Sequence, residues 1–250
     1  MAVLDPSTSP VLAPATAPKK PSVFEDFVDI FYAPRQVFAR RRDGEFFAAL
    51  VVLTCLVALL GYLFYSLLEP AFSVMTDRAV AAALKKNPTL REEQLRGMRG
   101  LMEKGQAFGP VIGVPIAALL GAVGIWVVAK FFDARQTMGQ ALTVSTYSMF
   151  PMLLAWITMA ALSFVVPADQ VQGLQSYMLS PARFLDANTA NPGLLAALMR
   201  IEPFTLWGAY ITAVGISETG KISLKQGIGA AAVVWLLGTL FSAGPALLQS

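Results

Sequence analysis

The fold of this chain is decided by the stretch FFAALVVLTCLVALLGYLFYSLL, residues 46–68, which carries no charge and is bounded by Glu45 and Glu69. An α-helix rises 1.5 Å per residue, so about 20 residues cross the roughly 30 Å of hydrocarbon in a bilayer. The stretch is long enough for that crossing. Each charge at mid-bilayer costs about 2.5–3.5 kcal/mol, which explains why charges are excluded over its whole length. The sequence therefore predicts a transmembrane helix here.

Four further charge-poor stretches predict additional spans, of which one is short. Between Glu202 and Glu218 only Pro203–Ser217 is free of charge, and such a segment reaches only about 22 Å as a helix. It can still cross if Arg200 and Glu202 extend toward water, or if the helix begins near Leu194. The five predicted spans cover residues 46–68, 108–129, 141–166, 203–218 and 226–248.

The composition supports this interpretation and narrows the chemistry. Hydrophobic residues make up 56% and charged residues 14% of the chain, against about 45–50% and 25% in ordinary soluble domains. We predict an all-α, polytopic membrane bundle of five transmembrane helices in residues 43–250. The lipid bilayer is then its first partner, and a net charge of +3 gives no reason to expect nucleic acid.

Few residues of the chain are suited to catalysis. There is no histidine, and the only cysteine, Cys55, lies inside an apolar run, so a disulfide framework and a thiolate cluster are excluded. No Gly-x-Ser-x-Gly, Walker-type or His-Glu-x-x-His motif occurs. We expect no enzyme activity, no catalytic residue, no metal and no cofactor.

The region before the first span divides into two parts. Residues 1–21 are rich in proline, alanine, serine and threonine and predict a disordered tail without a secretory signal. Residues 22–42 predict a cytoplasmic amphipathic segment: Ser22 and Glu25 form a capping-box pattern, apolar residues follow at helical spacing, Pro34 interrupts, and three arginines close the segment. This pattern is typical of a helix in the lipid headgroup zone, and equally of one packed on the rest of the protein.

Basic residues set the expected orientation. The cluster Arg40–Arg42 directly before the first span favours a cytoplasmic N-terminus, which places the C-terminus outside. The segment between the first two spans is then outside, although it carries seven basic and five acidic residues. There, residues 72–104 predict a helical hairpin, with a second capping box at Thr89 and Glu92. We expect the bacterial inner membrane.

Small residues recur every four positions down the second predicted span, at Gly109, Gly113, Ala117 and Gly121. Such a groove lets another helix approach closely. It predicts either an internal helix pair or the seam of a homo-oligomer or partner helix. Pro115 and Pro151 interrupt the second and third spans, and the carbonyl that each frees needs another donor, such as Ser148.

Two motifs in order resemble a known family. Tyr147-Ser148-Met149-Phe150-Pro151 in the third span is followed by Glu202-Pro203-Phe204-Thr205-Leu206-Trp207 at the fourth. Together with Gly215-Ile216-Ser217, they resemble the Yip-domain family of membrane proteins in its bacterial form. The resemblance implies five spans and a cytoplasmic N-terminus. The eukaryotic members of this family bind Rab-type GTPases and act in vesicle traffic.

The resemblance also points to candidate residues. The eukaryotic cytoplasmic motif Asp-Leu-Tyr-Gly-Pro is similar to Ile30-Phe31-Tyr32-Ala33-Pro34, which keeps Tyr32 and Pro34 but has Ile30 and Ala33 in place of aspartate and glycine. These two departures count against GTPase binding. The family-motif or partner-binding candidates are Tyr32, Pro34, Tyr147, Pro151, Glu202 and Trp207.

Two functions follow from these features. The first is a non-enzymatic scaffold, adaptor or membrane-organising protein whose N-terminal segment or outside hairpin recruits protein partners. The alternative is a transporter or channel-like component. Arg200 and Glu202 discriminate: facing a cavity inside the membrane they favour transport, whereas at the outer surface they favour the scaffold.

Overall fold

The computed structural model describes residues 22–247 of the chain, which form nine α-helices and three short 3-10 turns and contain no strand. The predicted tail 1–21 and the last residue of the fifth predicted span, Leu248, lie outside this range. The helices are α1 (Val23–Tyr32), α2 (Pro34–Arg40), α3 (Phe47–Lys86), α4 (Glu92–Lys130), α5 (Met138–Ser148), α6 (Pro151–Ser163), α7 (Pro192–Met199), α8 (Pro203–Gly220) and α9 (Leu224–Leu247).

Four helical segments are long and apolar enough to cross a membrane: Phe47–Lys86, Phe108–Lys130, Met138–Ser163 and Leu224–Gly244. The predicted helical membrane bundle is therefore confirmed. Helix α8 has 18 residues, which span about 27 Å, and its crossing of the membrane stays a prediction. The helix does not begin near Leu194, because α7 ends at Met199 and α8 starts anew at Pro203.

The helices run between two ends of the bundle. At one end, which we call the turn end, α3 begins and two tight connections lie, joining α4 to α5 and α8 to α9. Here Arg135 N–H donates to the Gly220 carbonyl at 3.1 Å and Gln140 Nε2 donates to the Arg42 carbonyl at 2.8 Å. At the other end, the hairpin end, lie α7 and the α3–α4 connection.

The arms of the predicted hairpin are continuous with the spans. Helices α3 and α4 contain 40 and 39 residues, so each is about 60 Å long, twice the hydrocarbon thickness. The capping box expected at Thr89 and Glu92 is wrong, because α4 begins at Glu92 and the Gln94 side chain accepts the Arg91 N–H at 2.9 Å. Thr89 N–H instead donates to the Asn87 side chain at 3.2 Å, in a turn.

Helices α5 and α8 form the centre of the bundle. Ten of the 18 residues of α8 are buried. The buried share of the most apolar window is 44% in the α5–α6 span but 17%, 28% and 22% in α3, α4 and α9. The three outer helices therefore turn most of their apolar side chains toward lipid.

Small residues on α8 allow the close contact at this centre. A methyl group at Gly208 would lie 2.7 Å from the Ser148 carbonyl oxygen, and one at Gly215 would lie 2.7 Å from Val144 and 2.9 Å from Phe38. Cβ atoms do not approach neighbours this closely, so glycine is required at both positions. The close helix packing at this centre therefore occurs along α8.

The third span is broken where Pro151 interrupts it. Helix α5 ends at Ser148 and α6 begins at Pro151. The carbonyl of Tyr147, which Pro151 cannot bond, accepts the Phe150 N–H at 3.3 Å in a tighter turn. The expected donor Ser148 does not serve it, because its hydroxyl donates to the Ser145 carbonyl at 2.9 Å.

The break separates the partners of the two half-helices. Helix α5 packs on α4 and α8, whereas α6 packs on α3 and α8. The N-terminal helices pack beside α5 toward the turn end, with α2 on α8 and α1 against α3. Of the two interpretations of residues 22–42, the structure therefore shows packing on the rest of the protein.

A candidate functional site beneath the N-terminal helices

Helix α1 is defined by local signals that the sequence carries. The Ser22 hydroxyl accepts the Glu25 N–H at 3.3 Å and the Glu25 carboxylate accepts the Ser22 N–H at 3.1 Å, which completes the predicted capping box. The helix ends at Tyr32, and α2 begins at Pro34, whose fixed φ suits a first helical position. Two short helices joined at Ala33 thus form a bent cover over the bundle.

A wholly buried carboxylate lies under this cover. Asp26 has 0% exposure, and its Oδ2 accepts the Arg41 Nε–H at 2.6 Å. Arg40 Nη2 lies 3.2 Å from Asp26 Oδ1. The Tyr147 hydroxyl of α5 donates to Asp26 Oδ2 at 3.2 Å. A buried charge needs such compensation, so this cluster fixes α1 against the segment before α3 and against α5.

The exposed rim of the cluster is also charged. Asp29 accepts the Tyr32 hydroxyl at 2.6 Å and a hydrogen bond from Arg40. The Tyr32 hydroxyl first, and then Arg40, hold the pKa of the Asp29 carboxyl below its usual value, because both stabilise the charged form. The same bond to Asp29 raises the pKa of the Tyr32 hydroxyl.

The arginines expected in the headgroup zone are engaged by carboxylates. Burial by itself lowers the pKa of Arg41, but its bonds to Asp26 and Glu45 outweigh burial, so the pKa of Arg41 stands above its usual value. On the far side of α2, Glu218 of α8 lies 3.3 Å from Arg35 and 3.2 Å from Arg42. The arginine cluster therefore connects the cover to Glu45 before α3 and to Glu218 of α8.

An aromatic cluster fills the space between the cover and the broken span. Phe27 meets Phe150 with ring centroids 5.5 Å apart, and Phe31 meets Trp207 at 5.5 Å, both edge to face. Phe38 meets Tyr147 in the same manner at 6.2 Å. Such contacts add to the burial of the rings themselves. The cover is thus packed on its inner face as well as ion-paired.

The structure brings most of the family-motif candidates together. Tyr147 and Trp207 contact the cover, and Pro151 is buried directly after the Phe150 ring. Pro34 is buried at the start of α2, whereas Tyr32 is 72% exposed on α1.

Glu202 is the exception, because it lies at the hairpin end as the residue before α8. It is 6% exposed, and its carboxylate accepts a long hydrogen bond of 3.5 Å from Thr205.

Most of the predicted small-residue groove is unused by the part of the chain that the structure describes. There, methyl groups at Gly109 and Gly113 would meet no atom within 4 Å, and Ala117 is exposed. Only at Gly121 does another helix approach, where a methyl group would lie 2.5 Å from the Ser145 hydroxyl. An internal helix pair along this groove is therefore limited to Gly121. A partner helix or second copy at its other positions stays a prediction.

The sequence interpretation missed Asp26, the central residue of the site. It lies between two other acids on α1, a position in sequence that is typical of a polar, exposed face. Its distance of four positions from Ile30, which is also wholly buried, was the available signal, because residues so spaced share one helix face.

Two shallow grooves border the cover. One, of about 420 Å³, is lined by residues of α1 and by Arg40; the other, of about 410 Å³, lies between Val23, Arg41 and the first residues of α3. Across residues 22–247, no three His, Cys, Asp or Glu side chains are placed to hold a metal ion. Asp26 and Asp29 are joined to Arg40, Arg41, Tyr32 and Tyr147 by ion pairs and hydrogen bonds, an arrangement suited to holding a surface in place.

Comparison with known proteins agrees with this architecture. The chain matches the Yip1 domain over residues 28–244. It is also similar to the membrane protein YknW of Bacillus subtilis (strain 168), with 22% identity over 236 residues that cover 94% of each chain. No solved structure matches it.

Proposed function

The chain belongs to the Yip1 domain family, and on this premise we propose that it is a non-enzymatic membrane scaffold that recruits a protein partner through the exposed face of α1. The proposal includes five spans, a bacterial inner-membrane location, a cytoplasmic turn end and an outside hairpin end. A homo-oligomer through the groove on α4 is compatible with it.

One observation carries the proposal: α1 presents an apolar stripe that residues 22–247 leave uncovered. Phe24, Val28 and Tyr32 are 75%, 54% and 72% exposed. They are four residues apart and so lie on one face of the helix. With Glu25 and Asp29 they line the groove on α1. An exposed apolar stripe with a charged border is typical of a protein-binding surface.

The charges of α1 favour a protein over the lipid surface as occupant. The acids Glu25 and Asp29 border the stripe, whereas Asp26 is buried, and this helix contains no lysine or arginine. Helices that lie on membranes usually carry lysine and arginine on the polar face, attracted by anionic lipids. An acidic border repels such lipids. We propose a partner that offers apolar side chains flanked by basic residues.

The buried ion pairs supply rigidity to this surface. Because Asp26 and the aromatic cluster fix α1, the stripe is held in one position before any partner arrives. A preorganised surface loses less conformational freedom on binding. In residues 30–34, which are similar to the eukaryotic motif, Ile30 is wholly buried and Ala33 connects the two helices. Tyr32 is therefore the side chain of this segment that reaches the stripe.

Photocrosslinking tests the proposal in intact membranes. Benzoylphenylalanine replaces Phe24 in one variant and Phe131 in the control, since Phe131 is an aromatic that is 82% exposed at the same end of the bundle. We expect a discrete protein adduct at position 24 that position 131 does not form. Adducts to lipid alone at position 24, or the same adducts at both positions, would contradict the proposal.

A further inference from the structure

A second polar cluster lies at the hairpin end, where α7 packs on α9. Arg200 directly follows α7, and its backbone N–H donates to the Ala197 carbonyl at 3.1 Å. Its guanidinium lies over α9: a methyl group at Gly238 would come within 3.4 Å of Arg200 Nη2. The absence of a side chain at Gly238 thus makes room for the charged group against the helix.

Two donors in this region have no acceptor. Arg200 Nε and Trp235 Nε1 are both buried and make no hydrogen bond within the described chain. Trp235 and Gly238 are three residues apart on α9 and so share one face. Buried donors are nearly always hydrogen-bonded in folded proteins, so two donors without an acceptor require an explanation. Both groups donate, so the missing partner is an acceptor.

The nearby carboxylate does not fill this role. Glu202 is close enough to attract Arg200 electrostatically, yet Arg200 Nε stays unbonded. Glu202 is the residue before the first turn of α8, where the positive end of the helix dipole favours a negative charge. Arg200 Nε is thus left to bind a second anion.

From this geometry we propose that Arg200 and Trp235 bind an oxyanion of the phosphate class between α7 and α9. A guanidinium presents parallel N–H groups that match two oxygens of a phosphate, and the indole N–H supplies a third donor. The chemistry is shared by a phospholipid headgroup and by free phosphate.

The surroundings favour the lipid as the source. Leu194 of α7 and Leu237 and Phe241 of α9 are 51%, 51% and 77% exposed, and they offer an apolar wall for acyl chains. A phosphodiester bound by Arg200 and Trp235 has its acyl chains beside this wall.

Native mass spectrometry of the full chain in mild detergent tests the site. The probes are phosphatidylglycerol, diacylglycerol without phosphate, and inorganic phosphate. The variants are Arg200→Gln and Trp235→Phe, of which the second removes the indole N–H donor and keeps a smaller aromatic ring. The control is Arg183→Gln, which removes an arginine that packs over the Phe184 ring at the same end.

We expect phosphatidylglycerol to bind the wild type and Arg183→Gln equally, and to bind Arg200→Gln about tenfold or more weakly, as for loss of hydrogen bonds to a charged group. Trp235→Phe binds severalfold more weakly and keeps the fold. Displacement by inorganic phosphate supports the oxyanion site and identifies the free ion as its source. Unchanged affinity in both Arg200→Gln and Trp235→Phe, or equal binding of diacylglycerol, overturns the proposal.

Discussion

Replacing Asp26 with asparagine should release the N-terminal cover while the bundle stays folded. Asp26 is wholly buried, and the side chains of its partners Arg41 and Arg40 are only 11% and 27% exposed. Removing one partner of a buried ion pair costs about 3–5 kcal/mol. Arg40 retains its ion pair with Asp29, and Arg41 retains its ion pair with Glu45. We therefore expect the cost of Asp26→Asn to lie at the lower end of this range.

A cost of about 3 kcal/mol raises the population of the detached cover by roughly a hundredfold, since 1.4 kcal/mol corresponds to a factor of ten. Amide hydrogen exchange in detergent measures this population directly when the cover opens and recloses rapidly. We expect exchange in α1 and α2 to accelerate by roughly a hundredfold in Asp26→Asn. Tyr147→Phe, which removes one hydrogen bond to the carboxylate, should accelerate it about tenfold.

The matched control is Asp133→Asn. It makes the same chemical change at an exposed residue of the same end, whose positive φ of 60° asparagine also tolerates. Its exchange should equal that of the wild type. Wild-type exchange of the cover in Asp26→Asn, or an equal acceleration in α8 and α9, would refute the reasoning that the buried carboxylate holds the cover in place.

Three further predictions concern pH, packing and topology. In a variant that keeps Trp207 and carries phenylalanine at Trp126, Trp156 and Trp235, we expect the tryptophan emission to shift to the red as the pH falls below 3.8. The pKa of Asp29 is lowered, so its stabilising charge is fully present above that value and is lost below it. In Asp29→Asn the shift should be absent. Gly227→Ala should lower the melting temperature, since its methyl group would lie 2.4 Å from the Ala213 carbonyl oxygen, whereas Gly113→Ala, with no neighbour, should stabilise the monomer by about 0.5–1 kcal/mol. For topology, single cysteines replace Lys86 and Asp186 at the hairpin end and Arg135 and Lys225 at the turn end, in a Cys55→Ala background. An impermeant reagent applied to intact cells should label the cysteines of the hairpin end and spare those of the turn end.

Each of these has a clear contrary outcome. An equal red shift in Asp29→Asn would separate the pH response from that carboxylate. Unfolding of Gly113→Ala at a lower temperature than the wild type would show that α4 packs within the chain at that position. If the cysteines at positions 186 and 225 are labelled from the same side, α8 does not span the membrane.

Short-range features of this chain could be predicted from sequence because their causes are local. The capping box at Ser22 and Glu25 and the helix boundary at Pro34 depend on neighbouring residues, and both are confirmed. The partners of Asp26 could not be predicted in the same way. Its hydrogen bond to Tyr147 joins residues 121 positions apart, and Asp26 resembles its acidic neighbours until the fold brings Tyr147 to it.

The small-residue contacts show the same limit. Gly109 and Gly113 have the spacing of a packing groove, but a methyl group there would meet no atom of residues 22–247 within 4 Å, whereas one at Gly208 or Gly215 of α8 would collide with a neighbour. Both sets lie in apolar helices. Spacing alone therefore did not distinguish them.

Charge-free length by itself determined that this chain is a membrane protein, because the cost of a charge in hydrocarbon depends on no other part of the fold. The tertiary structure alone decided which face of each helix turns inward. Lipid tails and a protein core are equally apolar, so the apolar pattern of a span does not separate its buried face from its lipid face. For the same reason, the carboxylate under the cover and the unpaired donors between α7 and α9 became visible only when the helices were placed side by side.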